Sequence, residues 1–123
     1  MIKRRCAIIP AILIFLQPLF SGCGENKQVL HVDRDTVATY NCESGAKITA
    51  EYYSLSDNSL HFVKIIMPDG KEYTLPQVVS GSGARYTDER EVEWWIKGDS
   101  AMIKRHTAKG GWVDIYNKCA VGK

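Results

Sequence analysis

The sequence predicts an all-β protein, a small antiparallel barrel or sandwich, on three observations. Turn-forming residues recur at short intervals between residues 43 and 111. The runs between them are rich in Val, Ile, Tyr, Trp and Thr, which favour strands at roughly 8–12-residue spacing. No window sustains the period of a buried amphipathic helix. We favour a closed barrel, because closure removes the edge strands that promote aggregation.

The individual elements follow from this punctuation. Seven runs have the composition of strands: TVATYNC, KITAEYY, LHFVKIIM, KEYTL, EVEWWIK, AMIKRH and WVDIYN. Turn residues separate them at Glu43–Gly45, Ser56–Asn58, Pro68–Gly70, Gly81–Gly83, Gly98–Asp99 and Gly110–Gly111. Such residues tolerate positive φ or bond their own backbone. The pattern predicts seven or eight strands.

The first 22 residues have the features of a lipoprotein signal peptide. A basic start, MIKRRC, precedes the apolar stretch 7–20, which is shorter than the roughly 20 residues of a membrane span. Ser and Gly then precede Cys23, which resembles a lipobox and predicts acylation, for example by palmitate, of that cysteine. Phe20 stands where leucine is usual in a lipobox. The alternative is ordinary cleavage near Gly22, which would leave a soluble periplasmic protein.

The predicted organisation is a leader (1–22), a lipidated cysteine with a polar tether (23–34) and a barrel domain (35–123). Gly24 follows Cys23, and no aspartate stands at this position. In this respect the sequence resembles lipoproteins that are sorted to the outer membrane, and we expect the protein to lie there and face the periplasm. Cleavage before Cys23 leaves 101 of the 123 residues, enough for one core. It also leaves 13 of 16 basic residues against 14 acidic ones, a net charge of −1. This balance does not predict a nucleic-acid partner.

Two of the four cysteines are predicted to form a disulfide. Cys6 leaves with the leader and Cys23 is the predicted lipid site, so Cys42 and Cys119 remain in an oxidising compartment. The alternative is a metal pair, but no CxxC motif or nearby histidine supplies further ligands. No metal site is expected.

The sequence does not predict an enzyme, a cofactor or a small-molecule substrate. His31, His61 and His106 are far apart, and no HxH or HExxH pattern occurs. None of the three lies at a spacing typical of a nucleophile and its base. Ser82 lacks the strand–turn–helix setting of a catalytic GxSxG serine.

A glycine-rich loop, SGSGARYTD at residues 80–88, is the first candidate for function. Gly81 and Gly83 flank Ser82 and allow backbone conformations that project its hydroxyl. An ion pair between Arg85 and Asp88 is predicted to hold the base of the loop rigid, which would lower the ordering cost of binding. The alternative is a plain flexible turn.

The second candidate is the strand that ends in WWIKG at residues 94–98. Alternation places Val92, Trp94 and Ile96 on one face, with Trp95 and Lys97 on the other. If the first face lies in the core, an indole and an ammonium group face water together. The alternative is a bulge that buries both indoles.

These segments resemble the family of membrane-bound inhibitors of C-type lysozyme. The resemblance covers SGARYTD (82–88), WxKGD (95–99), YxC (40–42), the late NxC (117–119) and the lipoprotein leader. It implies an eight-stranded antiparallel β-barrel that binds C-type lysozyme and protects peptidoglycan from host defence. It also implies that a serine and a lysine from two loops engage the carboxylates of the lysozyme cleft. By this resemblance the lysozyme-binding residues are Ser82, Lys97, Gly83, Arg85, Tyr86, Trp95 and Gly98.

Two further expectations concern the surroundings of these loops. The stretch between Ser82 and Lys97 is one residue longer than the family pattern, which we assign to a longer hairpin at residues 88–91. An extra residue within the strand would instead turn Lys97 to the other face. Acidic side chains around both loops are expected to speed encounter with a basic lysozyme: Asp88, Glu89, Glu91, Glu93 and Asp99.

Two other classes of function remain open from the sequence. One is a barrel that carries a small ligand in its interior, although eight strands leave little room beyond the side chains themselves. The other is a structural lipoprotein of the envelope whose conspicuous loops serve a different protein.

Overall fold

The computed structural model describes residues 22, 24 and 27–122, and its eight strands form one closed antiparallel barrel. Each strand pairs with its neighbours in chain order, and the last pairs with the first. The strands are β1 (Val32–Asn41), β2 (Lys47–Leu55), β3 (His61–Ile66), β4 (Glu72–Val78), β5 (Ala84–Thr87), β6 (Val92–Lys97), β7 (Ser100–His106) and β8 (Trp112–Val121). The predicted fold is therefore confirmed.

The N-terminal part of the chain bears on two elements of the predicted organisation, the leader and the tether. Cys23 and residues 1–21 of the predicted leader lie outside the described residues, so cleavage and lipidation stay predictions. β1 begins at Val32, within the segment 23–34 that the sequence assigns to a tether, and Val32 pairs with Leu55. No helix in the described part of the chain is long and apolar enough to cross a membrane.

All six predicted turns connect consecutive strands, and the strand missing from the seven runs is β5. Its four residues follow the glycine loop directly and are too few to show an alternating pattern. The loop 88–91 joins β5 to β6, and the pairing of these strands runs without a shift from Ala84↔Ile96 to Thr87↔Glu93. The hairpin at residues 88–91 is present, and no bulge interrupts β6 in its pairing with β5 or β7.

The barrel interior contains a small polar network surrounded by aliphatic side chains. Trp94 is 0% exposed, and its indole Nε1 donates to the Tyr52 hydroxyl at 3.0 Å. The Tyr52 and Tyr40 hydroxyls share a further hydrogen bond of 3.0 Å. Burial raises the pKa of Tyr52 far above its ordinary value, so the phenol stays protonated and neutral. The apolar side chains around the network include Ile48, Val63, Ile65, Leu75, Val92 and Ile103.

The barrel closes at a short seam between β1 and β8. Among the described residues, Tyr40↔Val121 and Asn41↔Ala120 pair across it, and the Gly122 N–H donates to the Thr39 carbonyl oxygen, whereas β1 and β2 pair along almost their whole length. The Cys42–Cys119 disulfide lies at this seam and joins the end of β1 to β8. The predicted disulfide is confirmed, and it reinforces one of the two shortest pairings of the sheet.

Replacing both Cys42 and Cys119 by alanine is expected to lower the free energy of unfolding by up to about 4.5 kcal/mol. The bond restricts a loop with a sequence separation of 77 in the unfolded chain. Urea denaturation of the parent and the double variant measures the difference, and reduction of the parent should reproduce it. Equal unfolding midpoints would show that strand pairing alone closes the barrel.

Candidate functional site

The glycine loop between β4 and β5 lies directly beside the β6–β7 turn because β5 and β6 are paired. Gly83 continues this pairing past Ala84↔Ile96 and so lies next to Lys97. A Cβ atom on Gly83 would clash with the Ile96 carbonyl oxygen and would lie 3.1 Å from Lys97 Cγ. Gly83 also has φ +66, a conformation that favours glycine. The structure thus brings the predicted serine and lysine segments together.

Two hydrogen bonds fix the shape of the glycine loop. The Ser80 hydroxyl donates to the Gly83 carbonyl oxygen at 2.9 Å. The Trp95 indole Nε1 donates to the Ser82 carbonyl oxygen, also at 2.9 Å. The Ser82 residue itself is exposed. Its backbone is therefore held in place while its side chain faces outward.

Lys97 is exposed at the end of β6 and lies over the neighbouring indole. Its Nζ is 4.2 Å from the centroid of the Trp95 ring, which is within the range of a cation–π interaction. Among the described residues, none forms an ion pair with this ammonium group. Gly98 follows with φ +59 in a two-residue turn, which suits the first position of a type II′ hairpin.

The two adjacent tryptophans face opposite sides of the sheet, as the alternation predicts. Trp94 lies in the core, whereas Trp95 is only partly buried on the outer face. The alternative of a bulge that buries both indoles is wrong, because the β5–β6 register is unbroken.

The predicted ion pair between Arg85 and Asp88 does not form. Arg85 Nε instead lies 2.7 Å from Glu93 Oε2, and a second guanidinium nitrogen lies 3.1 Å from Glu89 Oε1. Arg85 and Glu93 share the outer face of β5 and β6, and the Glu93 side chain is only 6% exposed. The hydrogen bond to Glu93 raises the pKa of Arg85. Arg85 is therefore held by Glu93 and by Glu89 of the loop 88–91, and not by the base of the glycine loop.

Asp88 stabilises its own turn instead. Its Oδ1 accepts hydrogen bonds from the backbone N–H groups of Arg90, Glu91 and Val92 at 3.0, 2.8 and 3.2 Å. Partial burial by itself would raise the pKa of Asp88, but these three bonds lower it overall.

Tyr86, one of the predicted binding residues, is buried in the structure. It is 7% exposed, and its ring lies 5.8 Å from that of Tyr52 in the barrel interior. Tyr86 pairs with Trp94 and so shares its inward face. Since Arg85 points outward, the alternation along β5 turns the Tyr86 side chain inward.

The expected acidic cluster around the two loops does not form. The loop 88–91 joins the ends of β5 and β6 that lie away from Gly83 and Lys97. Glu91 pairs there with Lys71, and Glu93 is buried against Arg85. Of the five acidic residues, Asp99 is the one in the turn next to Lys97. Local acidic steering is therefore not built into this site.

Two open depressions flank the glycine loop, and sequence reasoning did not find them. One, of about 440 Å³, lies on the side of the β2–β3 loop and is lined by residues that include Leu60, His61 and Gln77. The other, of about 410 Å³, lies on the side of Trp95 and Trp112. Val79 and Ser80 line both. In the described part of the chain, no group of three His, Cys, Asp or Glu residues is placed to hold a metal ion.

These features define a small disulfide-closed barrel that presents a rigid polar edge on its surface. Residues 40–112 match the family model of the membrane-bound lysozyme inhibitors of C-type lysozyme. The chain belongs to this family, which consists of inhibitor proteins and not of enzymes.

Two relatives with the name membrane-bound lysozyme inhibitor of C-type lysozyme are similar to this chain. The protein of Yersinia enterocolitica serotype O:8 is 39% identical over 66 residues, which cover 54% of this chain and 50% of the relative. The protein of Escherichia coli K12 is 32% identical over 92 residues, which cover 75% of this chain and 78% of the relative. The match thus spans about half the length of the first relative.

A solved structure shares the fold. It is the crystal structure of Pseudomonas aeruginosa MliC in complex with hen egg white lysozyme. The TM-score is 0.53 at 23% sequence identity, and the match covers 76% of this chain and 85% of that chain.

Replacing Gly83 by alanine is expected to destabilise the protein by about 2 kcal/mol or more, because positive φ and the clash with Ile96 both oppose a side chain. Gly81→Ala is the matched control, since nothing lies within 4 Å of a Cβ there and its φ is not in the positive range. Thermal unfolding of both variants measures the difference. A similar melting temperature for the two would show that the close approach at Gly83 is not required.

Replacing Asp88 by asparagine is expected to remove a pH-dependent part of the stability. Because the pKa of Asp88 is lower in the folded than in the unfolded state, its contribution is complete above the unfolded value of about 3.9. It is lost as the pH falls through the lower, folded pKa. The melting temperature of the parent should exceed that of the variant at neutral pH and converge with it in strong acid. A constant difference across this range would contradict the assignment.

Proposed function

We propose that this protein inhibits C-type lysozyme by inserting the Ser82 and Lys97 side chains into the active-site cleft. The observation that carries the proposal is the exposed Lys97 ammonium group, which has no ion-pair partner among the described residues and lies beside the rigid loop of Ser82. An unpaired cation at a fixed position suits a partner with converging carboxylates. The family and the names of the relatives support lysozyme as that partner.

The chemistry of the lysozyme cleft matches these two groups. Such a cleft holds a glutamic acid of raised pKa and an ionised aspartate. The Lys97 ammonium offers three N–H donors and a positive charge, and the Ser82 hydroxyl donates one further hydrogen bond. Occupation of both carboxylates blocks the acid and the nucleophile of glycoside hydrolysis at once.

Other contacts must supplement these two hydrogen bonds. A hydrogen bond to a charged group contributes about 1.5–3 kcal/mol, whereas nanomolar affinity requires about 12 kcal/mol. The supporting residues reduce the cost of binding, because Trp95 holds both the Ser82 carbonyl and the Lys97 ammonium group. Gly83 and Gly98 permit the positive-φ backbone of the two turns, and the hydrogen bonds of the glycine loop hold it in place. Less side-chain and loop entropy is therefore lost on association.

We further propose that the protein is anchored to the cell envelope through a lipid on Cys23. Acylation of Cys23 would hold the barrel at a membrane, since two or three acyl chains give stable binding. The words membrane-bound in the names of the family and of both relatives support this location. We place the protein at the outer membrane, facing the periplasm, where it protects peptidoglycan from lysozymes that enter.

The alternative of a ligand carried inside the barrel is less well supported. Side chains such as Trp94, Ile48, Ile65 and Leu75 occupy the interior positions and are fully buried. The alternative of a structural lipoprotein with a different partner is decided by the following experiment.

Lys97→Ala is expected to weaken inhibition of a C-type lysozyme by at least tenfold, because one charge-assisted hydrogen bond is lost. Ser82→Ala should have a smaller effect in the same direction. The assay is lysis of bacterial cell walls by hen egg lysozyme at increasing concentrations of the purified protein.

Lys109→Ala is the matched control. Lys109 is exposed in the β7–β8 loop, at the other end of β7 from the Gly98 turn, so its removal should leave inhibition unchanged. Absence of inhibition by the parent at micromolar excess would overturn the proposed function. Inhibition that survives Lys97→Ala would overturn the proposed mechanism.

A further inference from the structure

Val79 is the most exposed large apolar side chain in the described part of the chain, at 95%. Single exposed apolar residues are ordinary on protein surfaces. The position of Val79 distinguishes it, because it belongs to the same short loop as Ser82 and lies directly before the hydrogen-bonded segment 80–83.

The backbone on both sides of Val79 is fixed. Val78 before it pairs with Arg85 in the β4–β5 ladder, and Ser80 after it bonds the Gly83 carbonyl oxygen. Valine is also restricted in its side-chain rotamers by its branched Cβ atom. The methyl groups of Val79 are therefore presented in a defined direction, and little freedom is lost when they are covered.

The two depressions give this side chain a distinctive setting. Val79 lines both of them, so it forms a ridge between a hollow beside Leu60 and a hollow beside Trp112. A ridge between two hollows is complementary to a cleft whose floor receives the ridge and whose two rims enter the hollows. A flat or convex partner would leave both hollows empty.

The chemistry of the ridge also fits a cleft. Binding clefts for small molecules combine mostly apolar walls with a few polar groups that fix orientation. Ser82 and Lys97 match the polar groups of such a cleft, and Val79 matches its apolar wall. The loop thus offers both kinds of contact within four residues and the adjoining strand end.

We propose that Val79 is an apolar contact residue of the inhibitory surface and determines its affinity together with Lys97. The hollows beside Leu60 and Trp112 receive the rims of the partner cleft and mark the two limits of the interface. This inference rests on the proposed function and adds residues from β4, the β2–β3 loop and β8 to the site.

The test is the dissociation constant for hen egg lysozyme, measured by titration calorimetry on the purified parent and two variants. Val79→Ser removes the exposed methyl groups and is expected to weaken binding about tenfold, because the apolar area that the valine buries against the partner is lost. Val37→Ser is the matched control. Val37 is also an exposed valine, but it lies on β1, which is four strands away from β5 around the closed barrel. Its replacement should change the dissociation constant less than twofold.

The outcomes separate the two proposals. If the parent binds lysozyme and Lys97→Ala weakens binding, but Val79→Ser binds like the parent, the role of Val79 is overturned and the proposed function stands. If Val79→Ser and Val37→Ser weaken binding equally, the effect is not specific to the ridge and the inference is also overturned. If the parent itself does not bind, the proposed function fails, and the inference fails with it.

Discussion

The closure of the barrel between β1 and β8 is the constraint on which the rest of the structure depends. Two residue pairs and the Cys42–Cys119 disulfide hold this seam. Cys119 also pairs with Ala101 on β7, and the backbone N–H of Val121 donates to the Asp99 carbonyl oxygen. The same short region therefore closes the sheet and supports the turn that follows Lys97. Loss of closure would expose a strand edge and loosen the candidate site together.

Strand alternation then assigns two neighbouring tryptophans to different tasks. Trp94 enters the core and satisfies its indole N–H on Tyr52, so the polar atom carries no burial penalty. Trp95 points outward, donates to the Ser82 carbonyl and lies under the Lys97 ammonium group. A shift of one residue in β6 would exchange these roles, which is why the unbroken register matters for function as well as for stability.

Most of the acidic residues that were expected to surround the two loops lie elsewhere on the barrel. The acidic residues of the loop 88–91 are separated from the Ser82 and Lys97 edge by the length of the β5–β6 hairpin, and two of them, Glu89 and Glu91, are paired with basic groups. Of the five acidic residues expected around the two loops, Asp99 is the one in the turn next to the exposed Lys97. In the proposed complex, the shape of the ridge and the fixed positions of a few groups would provide the complementarity, and electrostatic attraction would act mainly through the proposed contact with Lys97.

The sequence by itself determined seven of the eight strands, the turns, the disulfide and the facing of Trp94 and Trp95, because these depend on local turn chemistry, period-2 alternation or pairing of the cysteines left by the leader. It also placed the two loops of the candidate site, through motifs that resemble the family. The tertiary structure alone decided that Arg85 pairs with Glu93, that Tyr86 is buried and that the acidic loop lies away from the site. It likewise decided that Leu60 and Trp112 flank Val79. The physical reason is that strand pairing and closure bring side chains from distant parts of the chain together, and no local pattern records which ones will meet.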